Sequence, residues 1–235
     1  MYHEIKTFHS KKPERALAVD FEDFLKQHEA IPLLICVAGG SVLNEVLPVL
    51  NPHLLNQYST ISVLDERYTD EEAGQNQFHF IKTPWFKTAV AQGAHTLAVP
   101  NGTAVSALEA ARSFETQFLS WHRYALGGKV VVLGGVGADG HIAGLFPHSN
   151  YECKGFCTNH LVEAYEFSSV TNYPCRITPT FTWWRSFDPV TFIYMSGEEK
   201  RSALDAILSP EGEYNDTPAR ILRTLSDCTV YTDIE

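Results

Sequence analysis

The sequence has no long hydrophobic run. None of its apolar stretches approaches the roughly 20 residues that a membrane-spanning helix needs. The opening stretch MYHEIKTFHSKKPER holds no apolar core of the signal-peptide kind. Both absences set the expectation of a cytoplasmic protein that does not engage a membrane. Cysteine is scarce: Cys36, Cys153, Cys157, Cys175 and Cys228 are odd in number, and their spacing forms no disulfide framework. A reduced compartment fits this usage. Cys36 sits in an apolar run and reads as a buried thiol. Cys153 and Cys157 could meet on a helical turn, but two ligands do not make a zinc site, and no metal is expected. Basic residues are in deficit, with 18 Lys and Arg against 28 Asp and Glu and a net charge of -10. That argues against a sequence-independent nucleic-acid binder, which presents a basic face. It leaves room for an anionic small molecule, because a local cluster of Arg, Lys and backbone N–H groups can hold one phosphate. Internal repeats, low-complexity tracts, long linkers and composition breaks are also lacking.

What is present is an alternation of buried strands and amphipathic helices. The 235 residues, 44% of them apolar, suffice for a well-buried α/β domain, read here as one domain over 1–235. Residues 14–30 carry Leu17, Phe21, Phe24 and Leu25 at helical spacing. After Pro32, Leu33 to Val37 is a continuous apolar run, the pattern of a strand covered on both faces. Residues 42–51, VLNEVLPVLN, look helical. TISVLDERY, GKVVVLGGVG, VTFIYMSG and CTVYTD read as further strands. TAVSALEAARSFETQFLSWHRY and EEKRSALDAILS read as helices. The class is therefore α/β: a layered, Rossmann-like arrangement with a mostly parallel sheet. The polar signals gather at strand exits: Gly39-Gly40-Ser41, Asp65-Glu66-Arg67, Gly137 to His141 and Gly197 to Lys200. In open α/β sheets that edge binds ligands.

Gly135-Val136-Gly137-Ala138-Asp139-Gly140 matches G-x-G-x-x-G letter for letter. The dinucleotide fingerprint also needs a helix opening at the last glycine and a ribose-binding acid about 20 residues on. Here Pro147 soon breaks the segment, and only Glu163 stands near that distance. A glycine-rich turn explains the glycines but not Asp139 and His141. A His beside an Asp at a strand exit can act as a general base, whereas one His in isolation is more often structural. Gly39, Gly40 and Ser41 open a helix, where free N–H groups suit a phosphate and where Ser41 could equally be an N-cap. Arg67 could hold an anion or stabilise an oxyanion. Taken alone, Asp-Glu-Arg favours a local ion pair of Arg67 with Asp70 or Glu71. Arg176 lies in a Pro-bounded segment. Lys200 and Arg201 stand in the first turn of a helix, against its dipole, which hints at an anion or is surface charge.

Together these segments resemble the 6-phosphogluconolactonase family, of the superfamily that includes glucosamine-6-phosphate deaminases. GVGADGHIAGLFP resembles that family's Gly-x-Gly-x-Asp-Gly-His-x-Ala-Ser-Leu-Phe-Pro signature. AGGS, DERY with Asn76 downstream, RIT and GEEK follow the family's order from about residue 33 to 220. The deaminase branch carries Tyr where Arg67 stands and a Glu after the Gly-His, and neither is found here. The chain departs from the family in SVL after Gly-Gly, in Gln75, in Gly144 and in NYPC. The resemblance implies the deaminase and lactonase fold and hydrolysis of 6-phospho-D-glucono-1,5-lactone to 6-phosphogluconate, in the oxidative pentose phosphate pathway, with no cofactor. It implies His141 as base, Asp139 as its orienting partner and Arg67 as electrostatic stabiliser. Gly39, Gly40, Ser41, Asp65, Asn76, Gly137, Gly140, Arg176 and Lys200 would contact substrate or its phosphate. The expected partner is a small-molecule sugar phosphate, and the expected assembly a monomer or small homo-oligomer. A sugar-phosphate isomerase or deaminase and a non-catalytic sugar-phosphate binder stay open as alternatives.

Overall fold

The computed structural model describes residues 3–102, 105–148, 158–167 and 172–235. Cys153 and Cys157 lie outside them. The apolar runs form the centre of a seven-stranded sheet, as β2 (Leu33–Val37), β3 (Ser59–Val63), β6 (Lys129–Gly135), β9 (Val190–Met195) and β10 (Cys228–Thr232), and two short polar strands that the sequence reading does not contain, β1 (Lys6–His9) and β5 (His95–Thr96), form its edges. Their order is β1-β10-β9-β6-β2-β3-β5, and every pairing is parallel. All five residues of β2 and of β3 are buried, which is why neither alternates apolar with polar. Helices cover both faces, giving the expected layered α/β class. They are α1 (Pro13–Gln27), α2 (Asn76–Lys82), α3 (Pro84–Ala91), α4 (Ala107–Tyr124), α5 (Phe181–Phe187) and α6 (Arg201–Leu208). The amphipathic pattern of α4 begins at a capping box, in which Ser106 and Glu109 satisfy each other's backbone N–H. Among the described residues no helix is long and apolar enough to cross a membrane.

Two local expectations are corrected. The segment TISVLDERY is not one strand. Leu64 makes a last bond to the Val37 carbonyl, and the chain then leaves the main sheet. Glu66–Arg67 becomes β4 of a separate antiparallel sheet, ordered β4-β8-β7, with β7 at Val162–Glu166 and β8 at Cys175–Pro179. Second, VLNEVLPVLN forms no α-helix. A π turn spans Val42–Val46 and a 3-10 turn Leu47–Val49, because Pro48 has no N–H to continue an α pattern. Gly140 opens no helix, in keeping with the break expected at Pro147. Val136 bridges Ile142, and Ile142 bridges Leu145, so the chain after β6 makes two tight turns. The match to G-x-G-x-x-G is therefore coincidental.

The sheet order fixes where a ligand can sit. From β2 the chain moves outward through β3 to β5; it then returns to β6, on the other side of β2, and moves away through β9. β2 and β6 thus flank the switch point, and their carboxyl ends open a crevice. A 3-10 segment, Pro218–Thr224, braces this edge from behind. Ala219 N donates to the Gly140 carbonyl at 3.0 Å. Arg220, buried, donates to the carbonyls of Ala206, Ser209 and Pro210 and so closes the C-terminal end of α6. Arg220→Met should therefore leave buried carbonyls unpaired and lower unfolding free energy by roughly 2–3 kcal/mol, measurable by urea denaturation. A loss under about 0.5 kcal/mol, the surface range, would contradict this brace.

Candidate active site

The crevice is a cleft of about 230 Å³. Its lining includes Gly39, Gly40, Ser41, Asp65, Arg67, Asn76, Gly137, His141, Arg176 and Lys200. Ten of the twelve residues singled out from the sequence are therefore brought together. Asp139 and Gly140 stand behind the lining. Asp139 Oδ1 is 2.6 Å from His141 Nδ1 and accepts the His141 backbone N–H at 3.1 Å. Gly140 turns the chain at φ 84°, with its N–H on the Gly137 carbonyl at 2.9 Å.

A carboxylate only accepts, so His141 Nδ1 donates to Asp139 and Nε2 carries the free lone pair. Among the described residues Nε2 has no hydrogen-bond partner. Partial burial works to raise the Asp139 carboxyl, but the hydrogen bond and charge of His141 outweigh it, and the net direction is down. The Asp139 carboxylate thus remains ionised beside the ring it orients. Phe146, which the sequence reading passed over within its own quoted signature, also lines the cleft. Its ring stacks on His141 with centroids 4.4 Å apart and planes 20° apart. Ala38, Gly135, Val136 and Ala143 complete the wall, and Ala143 adopts a left-handed φ of 51°.

The cations come from the small sheet and from the β9 exit. In the β4–β8 register Arg67 lies directly opposite Arg176. Like charges at facing positions repel. Asp65 is buried beside them. Burial raises the Asp65 carboxyl above its usual range, and the charges of Arg176 and Arg67 oppose that rise without reversing it. Arg67 makes no ion pair with Asp70 or Glu71 among the described residues, which corrects the local expectation. Its Nη1 reaches only the Gly74 carbonyl at 3.3 Å, and the guanidinium lies over the Tyr173 ring at 5.9 Å. Arg176 donates to the Tyr173 carbonyl. Lys200 lines the cleft from the turn after β9, and burial pulls its ammonium below the usual range despite Glu199, Glu45 and Asp233. Asp233 shapes that turn by accepting from Ser196 Oγ at 2.8 Å and Gly197 N at 2.9 Å. Arg201 faces away and pairs with Glu198, so its reading as surface charge holds.

Ser41 is not an N-cap of the usual kind. It already has helical φ and ψ, and its hydroxyl makes no capping bond. Its hydroxyl, with Gly39 and Gly40, forms one wall of the cleft. Asn76 is held behind this wall by Asp65 and Glu66: its Nδ2 donates to the Asp65 carbonyl at 3.1 Å, and its N–H to Glu66 Oε1 at 2.6 Å. Glu66 is buried and also accepts from Arg67 N and Gln77 N, each at 2.7 Å. Burial pushes its carboxyl up to about 7 against the pull of these three N–H groups. No cluster of three His, Cys, Asp or Glu suited to a metal ion occurs among the described residues.

Two of the glycines that line the cleft are required by space alone. A Cβ at Gly39 would lie 2.3 Å from Asn76 Oδ1, and one at Gly137 would lie 2.1 Å from His141 Nδ1 and 2.6 Å from Asp139 Oδ1. Gly144, where the family signature has Ser, lies against Thr178 and Arg176, so a side chain there would press on the small sheet. Gly137→Ala should keep the fold but displace the Asp139–His141 pair by an ångström or so. Turnover should fall roughly 100-fold, with a thermal midpoint near wild type. Undiminished turnover in a folded variant would show that this spacing is not needed.

A family model described as glucosamine-6-phosphate isomerases/6-phosphogluconolactonase matches residues 10–231. A 6-phosphogluconolactonase of Borreliella burgdorferi is 23% identical over 205 residues, covering 86% of this chain and 83% of that relative. The solved 6-phosphogluconolactonase of Trypanosoma brucei superposes with a TM-score of 0.75 at 18% identity, covering 98% of this chain and 96% of its own. A monomeric glucosamine-6-phosphate deaminase superposes with a TM-score of 0.72 at 20% identity, covering 97% of each chain. At such identities the structural likenesses speak for the fold, while the family model spans nearly the whole chain. The chain belongs to the glucosamine-6-phosphate isomerase and 6-phosphogluconolactonase family.

Proposed function

We propose that the chain is a 6-phosphogluconolactonase, hydrolysing 6-phospho-D-glucono-1,5-lactone to 6-phosphogluconate in the pentose phosphate pathway. The name of the Borreliella burgdorferi relative supports this reading. The observation that carries it is the Asp139–His141 pair, with Nε2 unpartnered among the described residues, in a cleft that also holds Arg67, Arg176 and Lys200. Such a pair is equipped to activate water, and such a cleft to hold an anionic sugar. The whole chain, 1–235, acts as one lactonase-like domain. It works in the cytoplasm on a small-molecule sugar phosphate, as a monomer or small homo-oligomer, and engages no nucleic acid.

In the mechanism, His141 Nε2 takes a proton from water as the water oxygen attacks the lactone carbonyl carbon. Asp139 holds the imidazole in the tautomer that leaves Nε2 free and stabilises the cation formed. The Arg67 guanidinium offsets negative charge developing on the carbonyl oxygen. When the tetrahedral intermediate collapses, the bond from that carbon to the ring oxygen breaks, and His141 returns its proton to the departing oxygen. Arg176, Lys200, the Ser41 hydroxyl and the Gly39 and Gly40 N–H groups hold the phosphate, which positions the carbonyl for attack. Asp65 and Asn76 contact the sugar, with Gly137 and Gly140 shaping the wall beside it.

One observation favours the isomerase and deaminase branch. Asp65, buried and with its carboxyl raised above the usual range, lies in the same cleft, where it could handle a carbon-bound proton. The first assay is therefore proton release from freshly generated 6-phosphogluconolactone, read against the spontaneous blank, beside ammonia release from glucosamine 6-phosphate. Lactone hydrolysis well above the blank is expected. A rate equal to the blank, with ammonia released, would transfer the chain to the other branch. His141→Ala should lower turnover by roughly 10²–10⁴-fold without loss of the folded state. Full activity in a folded His141→Ala protein would remove His141 as base. Arg176→Ala and Lys200→Ala should each raise KM by roughly 10-fold or more, with kcat less affected. An unchanged KM in both would take them out of the phosphate site.

A further inference from the structure

We propose that Phe146 is a positioning residue whose ring face holds the His141 imidazole in place and stabilises it as a cation during turnover. The inference rests on the reading of His141 as base. The two rings are nearly parallel, 20° apart, with centroids at 4.4 Å. Asp139 fixes one edge of the imidazole through Nδ1, and Phe146 fixes one face. Together they leave Nε2 little freedom other than toward the cleft. Phe146 is itself supported from another part of the fold. Phe167 meets it edge to face at 4.7 Å, and Tyr165 meets Phe167 at 5.1 Å and 83°. Tyr165 lies on β7, so the stacking ring is anchored in the small sheet while the imidazole is anchored in the β6 exit.

The charge around His141 explains why a π face matters there. Asp139 touches the ring. From the other elements facing the cleft come Asp65 after β3, Arg67 on β4, Arg176 on β8 and Lys200 after β9. Three of these groups are cations and disfavour a further positive charge. An aromatic face carries negative potential and attracts an imidazolium more than a neutral imidazole. The contact therefore strengthens at the moment the proton is held, which is the condition for lowering a barrier rather than tightening the ground state. The Arg176 guanidinium lies 5.5 Å from the centre of the same Phe146 ring, so one aromatic side chain contacts both the base and a phosphate-site cation.

The test uses NMR of the full-length protein with ¹³Cε1-labelled histidine, the His141 signal being assigned by its loss in His141→Ala. In wild type, ring current from Phe146 should move the His141 Hε1 resonance clearly upfield of an unstacked histidine. An unshifted resonance would overturn the stacking in solution, whatever happens to any variant. In Phe146→Leu that upfield shift should be lost, and in Phe146→Tyr it should be restored. In Phe146→Leu kcat should fall roughly 3- to 10-fold, with KM little changed. Undiminished kcat in a folded Phe146→Leu protein, with the upfield shift lost, would overturn the proposal. The NMR readout needs no turnover, so failure of the lactonase assignment and failure of this inference are separately visible.

Discussion

Two guanidinium groups on facing positions of neighbouring strands set the terms for the rest of the site. Arg67 and Arg176 are held opposite each other by backbone register, not by choice of rotamer. That arrangement is unfavourable by itself, and the surroundings answer it. Asp65 is buried beside the two and felt by both. Tyr173 offers its ring to one arginine and its carbonyl to the other. Glu66, one residue before Arg67, gathers the N–H groups of Arg67, Asn76 and Gln77 on one carboxyl. The short β4 strand could not keep its register without such an anchor, since two residues supply few ladder bonds. Arg67, Arg176 and Lys200 thus line one crevice on a protein whose overall charge is -10. An anion bound there would relieve the repulsion that the backbone register imposes.

The parts of this design differ in how openly the sequence announces them. β2 was legible to the residue, because complete burial on both faces produces an unbroken apolar run bounded by Pro32 and Gly39. The gathering of polar signals at strand exits was legible because a parallel sheet has only one edge where they can meet. The small antiparallel sheet was not. Its strands are short, β8 ends at Pro179, and Glu66–Arg67 reads as the tail of β3 unless the turn at Leu64 and Asp65 is known. The destination of Arg67 was misjudged for the same reason. A local ion pair is the reasonable expectation when the nearest carboxylates in sequence are Asp70 and Glu71, and only the register with β8 redirects the side chain. Phe146 was overlooked because an apolar letter in an apolar signature gives no sign that it packs on a titratable ring.

The segment Pro218–Thr224 shows how remote parts of the chain are made to act as one body. Its backbone holds the Gly140 carbonyl at the turn that carries His141. Its Arg220, together with Arg223, binds carbonyls at the end of α6, whose beginning carries Lys200. His141 and Lys200 are thus referred to a common support that does not itself line the cleft.

Gly137 does not adopt the left-handed φ that favours glycine. The requirement comes from His141 and Asp139, which occupy the volume a methyl group would fill. The letter at position 137 therefore encodes the placement of residues 139 and 141. A comparison of tolerated substitutions that treated each position by its own geometry would class Gly137 as free to vary, and would miss that its identity is a record of its neighbours' work.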